Sequence, residues 1–197
     1  MEKVYAFKEE DLKKAKDFFK LKNKIVMLHL LTIGTNIALR VSDLRILKFE
    51  DITKFQDKLI IDVVEQKTKK RRRIIFNNTC KKSLDELKRY YKKLGYDSSK
   101  GYLFKSSNRE NIKNLVDTPI TKSGINKNLK MMEDYLNFDY PIGSHSLRKT
   151  WGMRAYEKYK KIGIVSMALG HSSEKVTMRY LGIEEEDILG IFEDLEI

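Results

Sequence analysis

The sequence predicts a mainly α fold with a small antiparallel β-sheet, an α+β domain of 197 residues. Three observations predict it. Apolar residues recur at helical spacing near the start of the chain and again from Thr121 onward. Between these regions, two short β-branched segments flank a polar turn. Hydrophobic residues make up 41% of the chain, with only ten Gly and two Pro, so a core is available and fibrous or low-complexity classes are excluded.

The elements follow in order. Residues 8–22 form an amphipathic helix with Leu12, Ala15, Phe18, Phe19 and Leu21 on one broad side. Residues 24–39 are apolar nearly all round, which predicts a buried central helix despite Gly34, with His29 as a structural residue inside it. Ser42-Asp43 reads as the N-cap of a short helix through Leu47. Lys58–Glu65 and Arg73–Phe76 are strands joined by the turn Gln66-Lys67-Thr68-Lys69-Lys70. Residues 79–94 return to helix, and Gly95 stops it as a C′ residue. Residues 95–119 are loop-rich around a short strand, Tyr102–Phe104.

Helices then follow at 121–136, 145–160, 162–169, 173–181 and 184–194. Pro141 and Gly143 separate the first two, Ser144 caps the second, and Trp151 packs under it. The chain has no internal repeat and no linker, so residues 1–197 are expected to form one domain.

Charge narrows the function. Forty Lys and Arg against twenty-eight Asp and Glu give a net charge of +12, which favours a polyanionic partner, either nucleic acid or an anionic membrane surface. The membrane option needs a basic amphipathic helix with an uncovered apolar face, and none is found. The longest apolar stretch, Ile25–Ile33, is interrupted by His29 and Thr32 and falls short of the ~20 residues of a bilayer crossing. The N-terminus lacks the basic-then-apolar pattern of a signal peptide. The single cysteine, Cys80, rules out an internal disulfide and fits a reducing cytoplasm. No zinc spacing, acidic metal cluster, P-loop or dinucleotide fingerprint is evident, so neither a metal nor a cofactor is expected.

Four clusters carry possible chemistry. Lys67, Lys69, Lys70, Arg71, Arg72 and Arg73 place six cations within seven positions. They form either a solvated charged hairpin or a phosphate-binding one, and mutual repulsion favours the second, because duplex DNA supplies one charge every ~1.7 Å of its axis. His145 and Arg148 share one face at a helix start, where free N–H groups favour an anion; ordinary capping is the alternative. His171 sits in a corner after Gly170, either as a cap or as a ligand group. Tyr180, nine residues further on, is either a core aromatic or a reactive phenol. Arg40 follows the most apolar helix and needs an anionic partner; Asp43 is the nearest candidate, alone or while orienting Arg40 toward a phosphate.

Together these residues resemble the active-site signature of the tyrosine recombinases, the phage-integrase family. The order is Arg40, Lys67, His145-x-x-Arg148, His171, Tyr180. NIALRVSDLRILKFEDI resembles the family's first box and EQKTKKRR its lysine hairpin. HSLRKTWGMRA and LGHSSEKVTMRYLG resemble its second box, including the interval of nine between His171 and Tyr180. The resemblance runs from about residue 20 to 182. Two features depart from the pattern. Lys149 stands where the family often has a second His, and the first box begins near residue 35, which leaves no room for a separate core-binding domain.

The resemblance implies the tyrosine recombinase catalytic-domain fold and site-specific recombination of double-stranded DNA. Arg40 and Arg148 would hold the non-bridging phosphate oxygens, and Tyr180 would attack. His145 would take the phenolic proton, Lys67 would protonate the departing 5′ oxygen, and His171 would donate to the phosphate. Lys69, Lys70, Arg71, Arg72, Arg73 and Lys149 are expected to contact DNA. The resemblance further implies a monomer or weak dimer free in solution and a tetramer on DNA, assembled through the C-terminal helix, for which packing on its own core is the alternative. It also implies a bacterial or phage-encoded protein associated with the nucleoid. A DNA-binding regulator that keeps the fold without cutting, and a type IB topoisomerase-like relaxing enzyme, are the alternatives.

Overall fold

The computed structural model describes residues 3–183. The helix expected at 184–194 lies outside the described residues.

Helix α1 (Glu9–Leu21) buries Leu12, Ala15, Phe18 and Phe19 and carries Glu9, Glu10 and Asp11 in its first turn, where they complement the helix dipole. Leu21, expected on the same face, is 73% exposed, because it closes the helix at its rim. Helix α2 (Ile25–Gly34) is buried on nearly every side, as its uniform apolarity dictates. It ends five residues before the expected position. The Thr35 hydroxyl donates back to the Leu31 carbonyl at 2.9 Å and the Asn36 amide to the Thr32 carbonyl at 2.7 Å, satisfying the last turn. Gly34 marks a close crossing: a Cβ there would lie 2.5 Å from Leu147 Cδ2 and 2.9 Å from Leu44 Cδ2. This contact seats the later helix that carries Leu147 directly beside the segment that carries Arg40.

Helix α3 (Val41–Leu44) is shorter than expected, and Arg40 occupies its N-cap position. Ser42 and Asp43 lie inside it rather than capping it, because the buried Asp43 carboxylate is used elsewhere: it accepts from the Gln66 backbone N–H at 3.0 Å.

Strands β1 (Ile52–Phe55), β2 (Lys58–Val64) and β3 (Arg71–Ile75) form one antiparallel sheet in the order β1-β2-β3. β2 and β3 match the expected pair. β1 was not anticipated; it is a largely exposed edge strand whose residues lack an alternating apolar face. It joins β2 through Gln56-Asp57, both with positive φ, a tight turn built without glycine.

Helix α4 (Asn78–Lys93) is capped by Asn77, whose side chain accepts from the Cys80 N–H at 2.9 Å. Its end at Gly95, with φ of +91°, follows the expectation. The expected strand Tyr102–Phe104 reduces to an isolated bridge, Lys48 to Tyr102, although Leu103 and Phe104 are completely buried. A short helix, α5 (Arg109–Lys113), interrupts the loop region, capped by Asn108. Helix α6 (Lys122–Leu136) starts at Thr121, whose hydroxyl accepts from Gly124.

Helix α7 (Ser144–Tyr159) begins one residue earlier than expected, with Gly143 as N-cap instead of Ser144. Ser146 takes the capping role, its hydroxyl accepting from the Gly143 N–H at 3.1 Å. Helices α8 (Ile162–Leu169) and α9 (Glu174–Leu181) follow, separated by Gly170 in the left-handed region, and Ser173 caps α9.

The main core gathers α1, α2, α4, α6 and the inner face of the sheet. A smaller cluster of Ala38, Val165, Leu169 and Leu181 carries Trp151 and Tyr180 against it. His29 is buried between α2 and α4 with Nδ1 2.6 Å from Ser83 Oγ, in the structural role expected of it. Among the described residues, no helix is long and apolar enough to cross a membrane.

Candidate active site

The register of β2 and β3 sorts the basic run into two faces. Asp62 lies opposite Arg73 and Val64 opposite Arg71, with these side chains exposed. Ile61 lies opposite Ile74 and Val63 opposite Arg72, and these turn inward. The inward series 61, 63 continues to Glu65, whose side chain has no exposed surface. A carboxylate in that position requires cationic partners.

It has several. Glu65 Oε2 accepts from Arg40 Nη1 at 2.9 Å and from Thr68 Oγ1 at 2.6 Å. Glu65 Oε1 accepts from Arg72 Nη1 at 2.8 Å and lies 3.7 Å from Arg148 Nη1. Burial pushes the Glu65 carboxyl pKa up, but the hydrogen bonds from Thr68, Arg72 and Arg40 and the charge of Arg40 outweigh it and hold the pKa at about 2. The partner of Arg40 is therefore Glu65, not the Asp43 that sequence proximity suggests. Asp43 ties down Gln66 and with it the base of the Lys67 turn.

Arg148, on the first turns of α7, is 2% exposed. Its Nη1 donates to the Ala38 carbonyl at 2.6 Å and its Nη2 donates to the Leu169 carbonyl. Ala38 adopts a φ of +55°, which costs an alanine about 1–2 kcal/mol. That conformation aims its carbonyl at the guanidinium. Burial and the neighbouring Arg40 charge lower the Arg148 pKa to about 10.

The remaining signature residues surround this hub. His145 lies on the first turn of α7 and, with Arg40 and Lys67, lines a cleft of about 760 Å³ whose opposite wall is α6 with Lys122 and Asn126. Burial lowers the His145 pKa, and the charges of Arg148, Arg40, Lys149 and Lys67 lower it further, so the imidazole is neutral at pH 7. His171 Nδ1 lies 3.0 Å from Thr177 Oγ1, and its pKa falls to about 4 through burial and the charges of Arg148 and Arg40. Tyr180 stands edge-on to His171, with ring centroids 4.9 Å apart at 76°. Its hydroxyl is buried without a well-formed hydrogen bond. Burial raises the phenol pKa to about 12 against the opposing pull of Arg148 and Arg40.

The six expected site residues thus fall in one region. Arg40, Arg148, His171 and Tyr180 cluster around the Glu65 hub, while His145 and Lys67 flank them at the cleft. The expected DNA-contacting cations divide. Lys69, Lys70 and Arg71 are exposed at the hairpin end. Arg73 pairs with Asp62 at 2.8 Å and lies over the Phe55 ring at 5.3 Å. Arg72 turns inward to Glu65 and to the Ala168 carbonyl, because it sits on the core-facing side of β3. Lys149 rests its ammonium over the Tyr180 ring, 5.2 Å from the centroid.

Glu65 and Thr68 were missed by sequence reasoning. The signal was present: strand alternation from Ile61 through Val63 puts Glu65 on the buried face, where an acid needs the flanking cations.

The model of the phage integrase family matches residues 6–186. The probable integrase/recombinase YoeC of Bacillus subtilis (strain 168) is 33% identical over 177 residues, covering 90% of this chain and 88% of that protein. Among solved structures, the XerH site-specific recombinase bound to a palindromic difH substrate superposes with a TM-score of 0.72 at 18% identity, covering 96% of this chain. This chain spans 53% of that protein's length. The XerA recombinase gives 0.71 at 19% identity, covering 98% of this chain and 65% of its own. A lambda integrase dimer bound to a core site gives 0.67 at 18% identity, covering 92% and 61% respectively. The solved structures share the catalytic-domain fold, and the sequence matches extend along nearly all of the chain: it belongs to the phage integrase family of tyrosine recombinases.

Proposed function

We propose that this protein cuts and rejoins double-stranded DNA at specific sites through a 3′-phosphotyrosyl intermediate on Tyr180. The observation that carries the reading is the assembly of Arg40 and Arg148 on one buried carboxylate beside a phenol whose buried hydroxyl makes no well-formed hydrogen bond.

A phosphodiester repels nucleophiles and has a poor leaving group. Two fixed guanidiniums answer the first difficulty by neutralising the non-bridging oxygens and the charge that grows on them in the transition state. Tyr180 is protonated at rest and must lose its proton as it attacks phosphorus; the neutral His145 imidazole is the acceptor. The P–O bond to the 5′ oxygen breaks as the bond to the phenolic oxygen forms, and Lys67 gives the departing alkoxide its proton. Attack by a 5′ hydroxyl on the phosphotyrosine reverses these steps and releases the phenol. The ester is conserved throughout, so no nucleotide is consumed. His171, neutral at rest, donates to the phosphate from Nε2 in the tautomer in which the Thr177 hydroxyl turns its proton from the Ser173 carbonyl, 3.2 Å away, to Nδ1, 3.0 Å away. Exchange of two strand pairs requires four such sites, which supports assembly of a tetramer on DNA.

Nicked suicide duplexes drawn from the DNA flanking the gene test this reading. Incubation in EDTA is expected to trap a covalent DNA–protein adduct that resists denaturation. Noncovalent binding with no adduct on any flanking duplex would leave a DNA-binding regulator as the better description.

The hairpin supplies a separate test. Replacing Lys69, Lys70 and Arg71 together with alanine is expected to reduce the log–log salt slope of duplex binding by about 2–3, at about 0.9 for each phosphate no longer neutralised. An unchanged slope would remove those three side chains from the DNA backbone interface.

A further inference from the structure

Among the described residues, Lys149 is the cation of the site that faces neither the hub nor the open cleft. It follows Arg148 on α7, is half-buried, and sets its ammonium over the face of the Tyr180 ring at 5.2 Å, while His171 meets that ring edge-on at 4.9 Å. The ring is therefore held from two directions. We propose that Lys149 serves Tyr180 rather than the DNA backbone, as a positioning residue that fixes the ring and stabilises the negative charge developing on it during attack. This deepens the recombinase reading and rests on it.

An ammonium above an aromatic face is attracted by the ring's quadrupole, and more strongly once the ring carries phenolate charge. The difference between the two states favours ionisation of the phenol. Arg148 and Arg40 act in the same direction from α7 and from the start of α3. His171 is neutral on the α8–α9 turn, and the Glu65 charge is already neutralised by arginines. Burial, and then the charge of Lys3 on the N-terminal segment, lower the Lys149 pKa. That segment is held by hydrogen bonds from Tyr5 N–H to the Pro141 carbonyl, just before α7, and from Phe7 N–H to Thr150 Oγ1 on α7.

The test reads the phenol directly. A multiply fluorinated tyrosine is substituted for Tyr180, so that the phenol ionises at a pH where the Lys149 ammonium still carries its charge, and its titration is followed by fluorine NMR without DNA. The variant Lys149→Met is expected to raise that pKa by about 0.5–1, with Lys149→Arg returning it toward the starting value. In parallel, Lys149→Met is expected to slow adduct formation at saturating DNA by about threefold to tenfold while leaving the salt slope of binding unchanged. A titration unmoved in Lys149→Met overturns the proposal. So does a salt slope reduced by about one with the saturated rate intact, which would make Lys149 a phosphate ligand. Failure of the wild-type protein to form any adduct would sink the recombinase reading alone, since the NMR titration is measured without DNA.

Discussion

Glu65→Ala is expected to cost about 3–5 kcal/mol of folding stability, the loss typical of removing one member of a buried ion cluster. Three guanidiniums converge on this carboxylate, and all three belong to side chains that are largely or wholly buried. Without the acid, Arg40, Arg72 and Arg148 repel one another in a site that water reaches poorly. Glu65→Gln keeps the volume and one acceptor oxygen but turns an N–H₂ toward a guanidinium, so it is expected to recover only part of the loss. Urea denaturation at neutral pH measures both variants.

The acid dependence gives an independent check. The Glu65 carboxyl is held at about 2, below its ordinary value of 4.5. Its ionic contribution is therefore complete above about 4.5 and is lost as the pH falls toward 2. The wild-type protein should lose stability through that window more steeply than Glu65→Ala does. A variant within about 1 kcal/mol of wild type, with the same acid profile, would contradict the assignment of Glu65 as the hub.

Tyr180→Phe is expected to abolish adduct formation while making the protein more stable. The hydroxyl is buried with no well-formed hydrogen bond, so Arg148 and Arg40 offset its desolvation cost only in part, and removing it should recover about 1 kcal/mol. The ring keeps its contacts with His171 and the smaller core. The paired outcome separates a chemical role from a packing one: a core tyrosine with a structural job loses stability on truncation, whereas a nucleophile held ready for a substrate gains it. An unchanged adduct yield in the phenylalanine variant would remove Tyr180 from the reaction.

Much of this architecture was legible because the strongest signals are local. The uniform apolarity of Ile25–Gly34 and the β-branched run Lys58–Val64 leave few alternatives to a buried helix and an inner strand. Gly95 and Gly170 stop their helices because a left-handed residue is needed there. What escaped depends on tertiary context. β1 is an edge strand stabilised by pairing with β2 rather than by burial of its own side chains, and its turn uses Gln56-Asp57 where glycine would have signalled it. The early end of α2 comes from Thr35 and Asn36 folding back onto carbonyls, a competition between side chain and backbone that periodicity does not register.

At the site, the six proposed side chains stood out together because their types and order resemble the family's signature, and the fold brings them into one region. Their organiser was not, because Glu65 is remote in sequence from Arg40 and Arg148 and meets them only through the sheet register. Arg72 shows the same limit: within a run of similar cations, only the pleat of β3 separates it from Arg71 and Arg73.

The most direct measurement is to digest the trapped DNA–protein adduct with protease and nuclease and locate the residual nucleotide by mass spectrometry. The account predicts a 3′-linked nucleotide on the phenolic oxygen of the peptide containing Tyr180. A nucleotide found on any other side chain, or a 5′ linkage, would contradict it.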